Sequence, residues 1–322
     1  MRPAQGMGRQ AGAALLTAML IVAMVSSLAA GMVWRQYRAV QIEAAERARA
    51  QASWILRGAL DWARLILAED DARRPANEPP TDHLAEPWAV PLAEARLSTF
   101  LAADKGNADD GPEAFLSGSI HDAQAQYNLR NLIVSEPSSS GAAQELATLV
   151  RLCESAGLSN DVAALLAQKL RLAFAKNEDN SDGLLQPKSL AQLSWLGLQP
   201  ESIERLRPWV TLLPTATPVN LNTAPREVIA AVFNTNLAIA EKIVQARKTA
   251  PLRGIDELRV FLPPDVPLSN ERAAVTTGYF SVTGRLRLDE RVLEERSLVR
   301  RVGREIQVLS RERVNLVLEG SR

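Results

Sequence analysis

The chain has 322 residues, with 37 basic and 37 acidic side chains, 47% hydrophobic residues and one cysteine. A formal net charge of zero argues against a polyanion-binding protein, which usually carries a basic excess. The lone Cys153 excludes an intramolecular disulfide and a cysteine zinc cage, and two histidines, His83 and His121, leave few catalytic or metal options.

The apolar residues gather first at the N-terminus. No charge occurs from Ala13 to Val33, and about 20 such residues in a helix cover a bilayer core of roughly 30 Å. Two readings compete. Ser27, Ala29 and Ala30 offer a signal-peptide cleavage site. Against that, residues 34–68 contain no proline and are rich in helix formers. Apolar or aromatic side chains recur at Tyr37, Val40, Ala44, Ala48, Ala52, Ile55, Ala59, Trp62 and Ile66, a single stripe along a helix. The apolar span enters that stripe without a breaker, so a retained helix over 13–68 is favoured.

The run Arg9-Gln10-Ala11-Gly12, followed by Ala13-Ala14-Leu15-Leu16-Thr17, resembles a type IV prepilin leader. That resemblance implies cytoplasmic cleavage between Gly12 and Ala13 by a membrane-embedded aspartic peptidase, with residues 1–12 as leader. Pilins usually carry glutamate at the fifth mature position, where it neutralises a neighbouring N-terminal amine inside the membrane. Thr17 stands there instead, which suits a filament end better than its shaft. Losing Arg2 and Arg9 with the leader leaves the remainder slightly acidic.

Beyond the helix, Glu69 to Pro91 holds five prolines and reads as an exposed loop with His83 solvated in it. A short helix is expected over Leu92–Ala103. Ser119 to Leu132 reads as a strand, a turn and a second extended piece, with Asn128 and Asn131 holding the turn through backbone bonds. From Ser135 to Ala274 leucines recur at helical spacing, as at Leu146, Leu149, Leu152, Leu165, Leu166 and Leu170. From Tyr279 to Leu318 the period changes to two, predicting an antiparallel meander.

Inside the helical block, Val219-Asn220-Leu221-Asn222-Thr223-Ala224-Pro225 and the following apolar positions resemble a helix-hairpin-helix module of the kind seen in DNA-repair proteins. A DNA-binding hairpin presents glycine N–H groups to a phosphate. This one reads Asn234-Thr235-Asn236 without glycine, and Lys242, Arg247 and Lys248 make at most a small solvated patch. No nucleic acid is therefore expected. Nucleophilic catalysis has no support either: there is no Gly-x-Ser-x-Gly elbow, and His121 has no identifiable partner. Asp61 and Glu69 read as surface pairs.

Glu178, Asn180, Asp182 and Gly183 match the first, third, fifth and sixth places of a calcium loop, with Asp179 adding a third acid. Position twelve is Ser189 instead of glutamate. The same run also reads as a polar loop between two helices. Calcium at Glu178, Asp179 and Asp182 is one expectation; a plain loop is the other.

The order of these features resembles minor pseudopilin K of bacterial type II secretion. It is carried by the glutamate-free leader, by Ile120-x-Asp122-x-Gln124, and by Tyr127-Asn128-Leu129-x-Asn131-Leu132. Leu206-Arg207-Pro208-Trp209-Val210, Asn220-Leu221-Asn222-Thr223-Ala224-Pro225 and Tyr279-Phe280-Ser281-Val282 complete it. The resemblance implies an α+β, pilin-like fold: a long N-terminal helix on an antiparallel sheet, with an inserted all-α domain of helix-hairpin-helix (SAM-like) type. The expected divisions are 1–12, 13–68, 69–134, 135–275 and 276–322; pattern alone also permits two sequential domains. Implied partners are minor pseudopilins I and J, other pseudopilins and prepilin peptidase. The implied place is a single-pass inner-membrane anchor with the C-terminal part in the periplasm of a Gram-negative bacterium. Family calcium sites lie near the acidic loop, although this chain lacks a Trp-x-Asp-x-Asp run. The competing reading is a pilus-linked protein that takes up DNA through the hairpin module.

Overall fold

The computed structural model describes residues 10–73, 79–97, 114–134, 139–175, 184–288 and 291–317. The chain divides into two compact units, residues 1–57 and 58–322.

The described part of the first unit is helical and forms the opening of α1 (Gln10–Arg73). From Ala13 its side chains are almost all exposed, Leu15, Leu20, Val25 and Met32 among them. Two of the hydroxyls of the apolar stretch are bonded locally. Thr17 Oγ1 donates to Ala14 O at 2.9 Å and Ser27 Oγ to Ala23 O at 2.8 Å. Bonding a hydroxyl to the preceding turn removes most of its cost in hydrocarbon. By length and composition α1 is able to cross a membrane.

The second unit is built on a five-stranded antiparallel sheet. Its strands are β1 (Leu92–Arg96), β2 (Ala114–Asp122), β7 (Tyr279–Leu288), β8 (Arg291–Val302) and β9 (Glu305–Val317), adjacent in that order. In the β2–β7 ladder Ile120 faces Val282, and across β7–β8 Phe280 faces Val299. These residues share one side of the sheet because side chains alternate along a strand. There they pack with Leu60, Ala63 and Leu67 of α1, with Ile306, and with Trp88. The opposite side carries His121, Arg285 and Arg296, all exposed.

Neighbouring strands β2 and β7 are separated in sequence by the whole helical block. It contains β3 (Tyr127–Asn128), α2 (Ser140–Ser155), α3 (Asn160–Phe174), α4 (Pro200–Leu206), β4 (Val210–Thr211), β5 (Val219–Asn220), α5 (Arg226–Phe233), α6 (Leu237–Thr249) and β6 (Ala273–Ala274). Its core is separate from that of the sheet and includes Leu149, Leu152, Leu166, Leu170, Leu206, Val228, Ile243 and Leu258. Short parallel pairings, β3 with β4 and β5 with β6, tie each end of the block to its middle. The long helix, the antiparallel sheet and the helical block together make an α+β protein, as the sequence predicts.

Three local expectations are corrected. Leu92–Arg96 is a strand, not the start of a helix: pairing with β2 overrides the helix propensity of Leu-Ala-Glu-Ala-Arg. Most of the remaining stretch to Ala103 lies outside the described residues. The proline-rich segment is not simply an exposed loop, because α1 continues to Arg73 and both Asp82 and Trp88 are buried. His83, expected to be solvated, has a side chain only 25% exposed and accepts a bond from Ala85 N through Nδ1.

Candidate functional site: the joint between sheet and helical block, and the outer face of α1

Polar side chains that are buried in a joint must find partners there, so the joint is readable as a hydrogen-bond account. The chain leaves β2 through a short 3₁₀ turn and enters the block at Tyr127-Asn128. Asn128 Oδ1 accepts from Arg130 N and from Leu213 N, while its Nδ2 donates to Thr215 O and Thr217 Oγ1. Asn131 makes a two-bond pairing with the backbone of Thr217, donating to its O at 3.0 Å and accepting from its N at 3.1 Å. The expected turn is present, but the asparagines also lace it to chain more than 80 residues away. Tyr127 belongs to the same lacing. Its hydroxyl donates to Glu145 Oε2 at 2.8 Å, and Glu145 is held in turn by Arg272 at 2.8 Å. Burial first, and then the Glu145 charge, push the Tyr127 hydroxyl well above the usual range.

Asp122, at the end of β2, is the centre of the joint. Its Oδ1 accepts from Gln124 N at 2.7 Å. Its Oδ2 accepts from Asn220 Nδ2 at 2.8 Å and from Thr223 Oγ1 at 2.5 Å. Burial pushes this carboxyl up to about 6, while the bonds from Thr223, Thr277, Gln124 and Asn220 pull the other way. Asn220 also donates to Asp82 O, and Gln124 bridges Pro218 O and Gly278 N. The strand end, the start of the hairpin module and the return to β7 thus meet at one buried cluster.

Beside it, Asp70, Asp82 and Glu86 bring carboxylate oxygens within 4.8 Å of one another, close enough to hold a cation. The protein supplies its own. Arg301 pairs with Asp70 at 3.3 Å and with Asp82, and also donates to Thr277 O. Glu86 is bonded by Trp88 Nε1 at 2.5 Å and by His83 N. Burial, and then the charges of Asp70 and Asp82, push its carboxyl up to about 7 against the bonds it accepts. The chemistry here is structural: Arg301 clamps the end of α1, the proline-rich segment and β8.

The hairpin between α5 and α6 uses its donors internally. Asn234 takes a left-handed conformation, with φ at 51°, and Thr235 N donates to Ala230 O. Asn236 caps α6 by accepting from Ile239 N at 2.8 Å. Arg247 is not part of a solvated patch. It donates to Leu221 O, and burial lowers it to about 10. Arg130 stacks over Phe174, 3.8 Å from the ring centroid.

On the part of α1 within the second unit, Leu60, Ala63 and Leu67 face the sheet, whereas Trp62 and Leu65 remain 49% and 61% exposed. Arg64 reaches Ile306 O at 3.0 Å and pairs with Asp61 at 2.8 Å, the surface pairing expected of Asp61. Trp62 and Leu65 thus leave apolar side chains on the outward side of a helix already packed on its other side.

Of the predicted site residues, Gly12 and Ala13 lie at the start of α1, and Ala13 is exposed. Glu178, Asp179 and Asp182 lie outside the described residues. Sequence reasoning missed Asp82, Arg301, Asn220 and Thr223 as one cluster. Only the unusual Asn-Leu-Asn-Thr run signalled buried polar residues.

The family described as type II secretion system (T2SS), protein K matches residues 219–276, from β5 through the hairpin module. Proteins named type II secretion system protein K match nearly the full length. The one from Pseudomonas aeruginosa is 29% identical, covering 94% of this chain and 92% of that protein. The one from Klebsiella pneumoniae is 29% identical over 94% and 96%. Among solved structures, the fold matches a chain of the GspK-GspI-GspJ complex from the enterotoxigenic Escherichia coli type 2 secretion system. The TM-score is 0.66 at 19% identity, covering 84% of this chain and 98% of that one. The resemblance to minor pseudopilin K holds over nearly the whole chain.

Proposed function

We propose, starting from that family likeness, that this protein works as the K-type minor pseudopilin of a type II secretion system. In this reading it joins I- and J-type minor pseudopilins in the complex that initiates and caps the periplasmic pseudopilus during export across the outer membrane. The observation that carries the reading is the match to protein K relatives over 94% of the chain. The long apolar α1 supports it as a single-pass inner-membrane anchor, with the remainder in the periplasm.

The role is assembly and not catalysis. Prepilin peptidase would cut between Gly12 and Ala13 and leave α1 on the mature protein. Leaving the bilayer for a filament exchanges lipid tails for neighbouring helices, so the apolar stretch never meets water. Exposed Trp62 and Leu65 extend that packing surface beyond the membrane. Thr17, placed where pilins carry glutamate, and the bulky block between β2 and β7 both suit a terminal subunit. The DNA-uptake alternative gains nothing from the hairpin, whose Thr235 and Ile239 N–H groups are already bonded. Deleting the gene in its native host tests the reading. Exported enzymes should accumulate in the periplasm and return to the medium on complementation; undisturbed export overturns it.

A further inference from the structure

We propose that Asp122 is a proton-operated clasp: taking up a proton fastens the end of β2 more firmly to the start of the hairpin module.

The geometry allows both protonation states to be bonded, but at unequal cost. As a carboxylate, Asp122 accepts from Gln124 N, Asn220 Nδ2 and Thr223 Oγ1, yet it is a charge almost wholly out of water. When neutral, the proton sits on Oδ2 and is donated to Thr223 Oγ1. The Thr223 hydroxyl then swings its own hydrogen to Asn220 O, 3.3 Å away. Asn220 Nδ2 keeps the remaining lone pair of Oδ2, and Gln124 N keeps Oδ1. These three partners are all kept and the buried charge disappears.

Among the described residues, no cation bonds the carboxyl directly. Residues 219–224 offer Asn220 and Thr223, and Thr277 is offered from the return to β7. Asp82 lies beyond the Asn220 amide, with its own side chain held by Arg301 and with Glu86 at its other side. His121, next in sequence, is exposed. Burial therefore decides the balance, and the raised midpoint of about 6 agrees with it. A carboxyl raised by folding stabilises the closed joint below its folded value, and that stability is lost as pH rises through it.

Amide hydrogen exchange on the full chain in detergent micelles tests this. The amides of Leu221, Thr223 and Ala224, bonded to Ala274 O and Asn220 O, report opening of the joint. After correction for intrinsic exchange, their protection should rise about tenfold from about pH 8 to about pH 5. The rise should vanish in Asp122→Asn, persist in Glu86→Gln, and be absent at Ala240 in α6. Flat protection in the unaltered protein, or an equal rise in Asp122→Asn, overturns the proposal. Should Asp122→Asn fail to fold, carbon-13 titration of the Asp122 carboxyl decides. A midpoint of about 6 supports the clasp, and one near the ordinary value of about 4 overturns it.

Discussion

Trp88 meets Phe280 edge-on, with ring centroids 5.2 Å apart and planes at 74°. The contact fixes the proline-rich segment onto β7, under the same cover as Leu67 of α1. Truncating a fully buried tryptophan leaves a cavity that the surrounding rigid strands cannot fill. Trp88→Ala should therefore cost about 3–5 kcal/mol of unfolding free energy, measured by denaturant titration. A loss under about 1 kcal/mol would show that the segment is not part of the core.

Arg301 pairs with both Asp70 and Asp82, and all three side chains are largely out of water. Replacing it with methionine keeps most of the bulk but takes a counter-charge away from two largely buried carboxylates. The expected cost is about 3–5 kcal/mol. Adding Asp82→Asn should recover part of it, because one of the two buried negative charges is then removed. An additive second loss would contradict this account of the pairing.

Glu86 makes stability depend on pH in the opposite sense to ordinary acid denaturation. Its carboxyl is raised by folding from 4.5 to about 7, so it favours the folded state in its neutral form. That contribution is present in acid and is lost as pH rises through about 7. The melting temperature of Glu86→Gln should consequently change less between about pH 6 and about pH 8 than that of the unaltered protein. Identical pH profiles would contradict the burial argument.

Gly12 carries the processing expectation. Gly12→Leu should leave the chain uncut in cells containing prepilin peptidase, with the intact mass of the purified protein as the readout. A mature mass beginning at Ala13 in that variant would contradict the leader assignment.

Much of this architecture could be read from the sequence, where the physics is periodic. The alternation of Phe280 and Val282 with Ser281 and Thr283 marks the two sides of a sheet, and the stripe through Trp62 and Ile66 marks a helix. What escaped detection was aperiodic. Leu92–Arg96 is a strand only because β2 lies beside it. Asp82 is hidden among prolines, and its partner Arg301 comes from 219 positions later in the chain. Apart from the Asn220-Leu221-Asn222-Thr223 run, nothing local distinguishes Asp122, Asn220 and Thr223 from surface polar residues until the helical block folds back onto the end of β2. Asn128 and Asn131 were half legible: the Asx turn is local, and the bonds to Thr217 are not.

The central claim is membership of a complex of minor pseudopilins, and co-expression tests it most directly. The full chain should be expressed in one membrane with the I- and J-type pseudopilins of its own host, then purified through a tag on this chain alone. Native mass spectrometry of the eluate should show one assembly with a single copy of each component. Recovery of the chain without either partner, while those partners pair with each other, would contradict the account.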